Sequence, residues 1–127
     1  MGEAMMELFS SVNLVNKAID TALVRKELIS QNISNVDTPG YKRKDIDFES
    51  LLAKEVELRG ISNIDVNNLN AKVYIDHQTS TYRLDGNNVD IQVEKSEEAK
   101  VEMRYNALIS RMTSQLNRFK TTLQNLK

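Results

Sequence analysis

A chain of 127 residues, 40% apolar and 28% charged, has room for one domain with a modest core. No apolar run approaches the roughly 18 to 20 residues of a membrane-spanning helix, and the lack of cysteine excludes disulfides and thiolate metal sites. The net charge of −1 conceals three unequal parts: residues 1–44 carry six basic and five acidic groups, 45–102 six and thirteen, and 103–127 five and none. A nucleic-acid binder would concentrate its basic groups on one face; this distribution suits packing between copies or between the ends of different copies.

The first residues, Met-Gly-Glu-Ala-Met-Met-Glu, lack the basic and apolar regions of a cleavable signal, so any exit from the cytoplasm is expected to use another route. At spacings of three and four, Met5, Leu8, Val12, Val15, Ile19, Ala22, Lys26, Ile29 and Ile33 form one stripe in which only Lys26 is not apolar. This is a heptad seam, and it predicts an amphipathic helix that must bury its stripe against something. Such a helix is on the order of 45 Å long, whereas a compact chain of this size is roughly 36 Å across. Either the helix folds back in pieces, or the molecule is elongated and the stripe awaits a partner.

The pattern stops at Asn32, Asn35 and Asp37, short polar side chains that favour helix ends and turns. Thr38-Pro39-Gly40-Tyr41 follows, with the only proline of the chain. Proline presets φ at the second place and glycine accepts positive φ at the third, the chemistry of a type II turn. Lys42-Arg43-Lys44 reads as a solvated rim, because no aromatic residues are interleaved to suggest a nucleic-acid patch.

Phe48, Leu51, Leu52, Val56 and Leu58 have helical spacing up to a stop at Gly60. Residues 61–69, rich in Asn and Asp, read as loop. Ala71 to Ile75 alternates as a strand, and Ser80 to Leu84 is a weaker one; together they are expected to form a small hairpin that leans on the helices or on another subunit. Asp85-Gly-Asn-Asn-Val-Asp90 is not a calcium loop. Its glycine stands second instead of sixth and Val89 occupies a ligand place, so a turn running into a helix N-cap at Asn88 or Asp90 is expected.

Tyr105, Ile109, Met112, Leu116, Phe119, Leu123 and Leu126 step by four and three, the cleanest period in the sequence. Glu94, Glu97 and Glu98 precede Arg104, Arg111, Arg118, Lys120 and Lys127, the polarity a helix dipole favours. The predicted fold is mainly α: two long terminal helices paired in a coiled-coil-like manner, around a small irregular middle with a short helix and a hairpin. The expected segments are 1–36, 37–89 and 90–127. Because the second seam runs to Leu126, both stripes are read either as an intramolecular antiparallel hairpin or as assembly elements completed by neighbouring subunits. Nothing points to catalysis, a cofactor or a metal. The single histidine, His77, has no acid, base and nucleophile set around it.

Three stretches resemble the rod proteins of the bacterial flagellar basal body. Asn32-Ile-Ser-Asn-Val-Asp-Thr-Pro-Gly-Tyr-Lys42 is similar to the Asn-x-x-Asn-x-x-Thr-Pro-Gly-Tyr-Lys signature of the flagellar axial proteins. Asp85 to Asp90 with the acidic residues after it, and Glu102 to Met112 including Tyr105-Asn-Ala-Leu108, resemble the start of their C-terminal helix. The short middle favours the proximal rod, which has two sister proteins of this kind.

The resemblance implies a structural subunit that is exported unfolded by the flagellar type III apparatus, without a cleaved signal, to the periplasmic side. There it would stack into the tubular rod required for motility. Terminal helices would form the inner layer and the middle the outer surface, with Asn32, Asn35, Thr38, Pro39, Gly40 and Tyr41 as the elbow between them. The implied partners are further copies, other rod proteins, the adaptor joining rod to membrane ring, and the export apparatus, with neither nucleic acid nor membrane insertion. Phe48 followed four residues later by Leu52 resembles the short export signal of early flagellar substrates. The contrasting reading is a soluble coiled-coil adaptor for one partner helix.

Overall fold

A computed structural model describes residues 2–77 and 83–126; the side chains of Ala4 and Met5 also lie outside the description. Two long helices dominate it: α1 spans Gly2–Ser34 and α3 spans Ile91–Gln124. Between them come a short strand β1 (Lys44–Ile46), helix α2 (Glu49–Arg59), two single 3₁₀ turns (Ile61–Asn63 and Val66–Asn68) and strand β2 (Val73–Ile75). At 1.5 Å per residue each long helix runs about 50 Å, so the molecule is elongated.

The long helices are antiparallel, since Phe9 meets Phe119, Ser11 meets Gln115 and Arg25 meets Glu97. Along α1 the seam is buried as its period requires: Val15, Ile19, Ala22 and Ile29 are inside, and Leu8, Val12 and Ile33 are half-buried. Lys26, the one polar member of the stripe, reaches outward to Glu102 at 2.6 Å. Met5 belongs to the same stripe, but its side chain is outside the described residues.

Asp90 caps α3, accepting from the backbone N–H groups of Gln92 and Val93. Gly60, at φ 78°, ends α2 with its N–H on the Val56 carbonyl. Leu69, Val89 and Ile46 carry the core into the middle region, whereas α2 buries a charged residue, Glu55. Its carboxylate accepts from the Asp65 backbone, from Asn68 and from Arg59, so it organises the 3₁₀ turns.

The small antiparallel pair of strands is present with an unexpected partner: β2 pairs with β1, in the register Lys44 to Ile75, Asp45 to Tyr74 and Ile46 to Val73. Much of the expected second strand, Ser80 to Leu84, lies outside the described residues. No helix among the described residues is long and apolar enough to cross a membrane.

Candidate functional site

The elbow begins with Asn32, fully buried in the last turn of α1. Its side-chain amide donates to the Lys44 carbonyl at 2.9 Å, and its oxygen accepts the Lys44 N–H at 2.9 Å. A carboxamide has the donor and acceptor of a peptide group, so Asn32 acts as one residue of an extra strand and lays the returning chain beside the helix. The same oxygen accepts from the Tyr41 hydroxyl at 3.0 Å, and the amide also reaches Glu94 at 3.4 Å.

Between these points the chain turns as its residues dictate. The Tyr41 N–H bonds to the Thr38 carbonyl at 3.2 Å, and Gly40 has φ +73°, the positive value a type II turn needs at its third place. Asn35 bonds back to the Gln31 carbonyl and accepts from the Thr38 hydroxyl.

The opposite wall is the loop from Asp85 to Asp90. The Gly40 N–H donates to the Asp85 carbonyl at 2.7 Å. Asn87, fully buried, donates from one amide group to the carbonyls of Asn35 (2.9 Å), Val36 (3.0 Å) and Thr38 (2.9 Å). Asn88 accepts the Arg43 N–H at 2.8 Å and donates to the Asp76 carbonyl at 2.7 Å. It therefore joins the elbow to the end of β2 and leaves capping of α3 to Asp90. Side-chain amides thus satisfy carbonyls that a helix end and an irregular turn leave open.

Lys42-Arg43-Lys44 is not a solvated rim. Only 11% of the Arg43 side chain is exposed, and it donates to Glu94 at 2.6 Å, Asp76 at 3.0 Å and Asp45 at 3.2 Å. Arg25, on α1, donates to the same Asp45 at 3.0 Å and to Glu97 of α3 at 2.8 Å. The result is an alternating chain, Glu97, Arg25, Asp45, Arg43 and Glu94, that ties α1, β1 and α3 together. Burial alone would lower both guanidinium pKa values, but the surrounding carboxylates win and raise them. Burial would likewise push Asp45 up, yet Arg25, the Ile46 N–H and Arg43 hold its carboxyl below the ordinary range. The Tyr41 hydroxyl is raised by burial and by Glu94. These groups satisfy one another, as in a structural joint. Among the described residues no cluster of His, Asp or Glu could hold a metal, and His77 is exposed.

Phe48 and Leu52, half-buried, line a groove of about 520 Å³ between the helices, with Ala22, Val101 and Leu108 on its wall and Arg25 and Lys100 at its rim. The C-terminal stripe divides. Tyr105, Met112 and Phe119 are half-buried, with Phe119 edge-on to Phe9 at 5.2 Å, whereas Ile109, Leu116, Leu123 and Leu126 are 39–50% exposed. Phe9 and Leu23 of α1 are comparably open. Sequence reasoning missed Arg43, Asn87 and Glu94. The adjacent amides in Asp85-Gly-Asn-Asn88 were the available signal for Asn87, since paired Asn side chains serve irregular backbone.

No family model matches the chain. Individual relatives do. Over 127 residues the chain is 34% identical to the flagellar basal body rod protein FlgB of Bacillus subtilis, an alignment covering 93% of this chain and 97% of that protein. It is 29% identical to FlgB of Escherichia coli, covering 94% and 96% of the two chains. FlgB of Borreliella burgdorferi is 32% identical over 77% of this chain and 84% of that one. With similarity at this level running through the elbow and both long helices, the chain belongs to the flagellar basal body rod protein FlgB family.

Proposed function

We propose that the chain is a self-assembling structural subunit of the proximal rod, joining copies of itself, other rod proteins and the adaptor between rod and membrane ring. Its structural place in the flagellar basal body rod follows from its relatives. The observation that carries the assembly reading is the half-open apolar line Ile109, Leu116, Leu123 and Leu126 on an already formed helix pair, whose α1 leaves Phe9 and Leu23 comparably open. Covering the open half of one large apolar side chain is worth roughly 1 kcal/mol, so several together suffice to hold neighbours along an axis.

In this reading the helix pair forms the inner layer, residues 37–89 the outer surface, and the elbow fixes the angle between them against a neighbouring subunit. Export through the flagellar type III apparatus without a cleaved signal accords with Phe48 and Leu52 being half-buried, since a signal placed there is legible on the unfolded chain.

Sedimentation of the full chain against Leu116→Asp tests this. The substituted protein should keep its helicity and lose pelletable assemblies. Equal pelleting of both, or saturation of the parent chain at a small complex of fixed size, as an adaptor would show, overturns the reading. Ile19→Asp is a poorer probe, because Ile19 is buried between the helices and the change also damages the monomer.

A further inference from the structure

The apolar stripe of α3 is out of phase with itself. From Val101 the inner line of the helix recurs every seven residues as Leu108, Gln115 and Thr122, while the apolar line steps eight residues to Ile109 and then seven to Leu116 and Leu123. A helix bound to one straight partner can bury only one of two adjacent lines, which lie about 100° apart around its axis.

The proximal half decides. Glu94, held by Arg43 and Asn32, and Val101 are buried, while the neighbouring line there is Lys95 and Glu102. The distal half is consequently turned the wrong way for its own side chains. Gln115 is 1% exposed while Leu116 is 50% exposed. The Gln115 amide donates to the Ser11 hydroxyl, and its buried oxygen has no hydrogen-bond partner among the described residues. Flipping the carboxamide moves the deficit to the nitrogen, because one hydroxyl cannot serve both ends. A buried polar atom left so weakens the closed state specifically.

We propose that the Ser11–Gln115 layer is a weak latch. In the free chain it holds distal α3 on α1. When a second copy arrives, distal α3 parts from its own α1, releases Gln115 to water and buries Ile109, Leu116 and Leu123 against α1 of that copy. The occupant follows from repeat and charge. The open line adjoins the α1–α3 interface and has the seven-residue period of the α1 seam. The first twenty residues carry Glu3, Glu7 and Asp20 against Lys17, whereas distal α3 carries Arg111, Arg118 and Lys120 and no acid. The proposal rests on the rod-subunit reading and adds how that surface is controlled.

The chain has no cysteine, so in full-length Ser11→Cys/Gln115→Cys a short bismaleimide joins only the two new thiols. The linked chain should need an about tenfold higher concentration to pellet than the same chain unlinked, the effect of roughly 1.4 kcal/mol. Gln115→Leu, which repairs the layer, should raise the thermal midpoint of the monomer and also raise the concentration needed for assembly. Equal assembly of linked and unlinked chains, or easier assembly of Gln115→Leu, overturns the latch and leaves the subunit reading standing. Failure of the unlinked and parent chains to assemble at all overturns both.

Discussion

The elbow and the distal helix pair are built on opposite principles. At the elbow the anchoring groups are polar and paired: Asn32 uses both ends of its carboxamide on Lys44, Asn87 serves carbonyls of Asn35, Val36 and Thr38, and Arg43 meets Glu94, Asp76 and Asp45. Hydrogen bonds are directional, so this corner has one geometry. Distal α1 and α3 meet through Phe9, Phe119 and a seam with an unpaired amide oxygen, while Leu116 and Leu123 face outward. Apolar contact is not directional, so this end can exchange partners. The proposed assembly would draw on both, a fixed angle at one end and a surface to share at the other.

The contrast is broken most severely at Arg43. Arg43→Met leaves the Glu94 carboxylate, whose side chain is 1% exposed, buried without its cation. A cost of about 3–5 kcal/mol is expected, seen as a fall of the thermal midpoint on the order of 10 °C. Arg43→Met combined with Glu94→Met should recover much of that loss, because it removes the stranded charge too. Asn32→Asp comes next. It exchanges the donor facing Glu94 and the Lys44 carbonyl for a carboxylate, at about 2–4 kcal/mol in chemical denaturation. Leu116, by contrast, should tolerate polar replacement.

Acid should loosen the two ends unequally. Asp45 titrates below its unfolded value of 3.8, so its stabilising contribution is present above that value and lost as pH falls through the lower folded one. Glu97, held down by Lys100 and Arg25, behaves likewise from 4.5. Residues 103–127 contain no carboxylate side chain. Amide protection, taken relative to the intrinsic exchange rate at each pH from about pH 6 to pH 3, should therefore fall first around residues 32–46, and Asp45→Asn should flatten the pH dependence of the thermal midpoint. Uniform loss of protection along both long helices would show that the charge chain does not set the stability of the elbow.

The sequence made both long helices legible, because a buried stripe recurring at three and four leaves its period in the residues whatever the partner. The Thr38–Tyr41 turn was legible for a local reason: proline and glycine restrict φ wherever they stand. Arg43 was not. Three consecutive basic residues look solvated until the fold brings Glu94, Asp76 and Asp45 around the middle one, and those partners lie as far as 51 positions away. Strand β1 was hidden by its brevity, three residues paired with β2 on one edge and stitched to Asn32 on the other. In α3 the period was correct, but which of two neighbouring lines turns inward depends on where Glu94 pins the helix. A count of apolar residues favours Leu116; the pin selects Gln115.

That last choice supplies the mildest test of the two regions. Leu116→Gln exchanges a half-open leucine for a residue of similar length on a helix surface. It should shift monomer stability by no more than about 0.5 kcal/mol, the range of ordinary surface changes. Arg43→Met and Asn32→Asp should cost several times that while leaving the Ile109–Leu123 surface intact. Urea denaturation of the three proteins in dilute solution checks the order. A large loss from Leu116→Gln would mean that the monomer already uses that face, and the distal pair would then have as little freedom to change partners as the elbow.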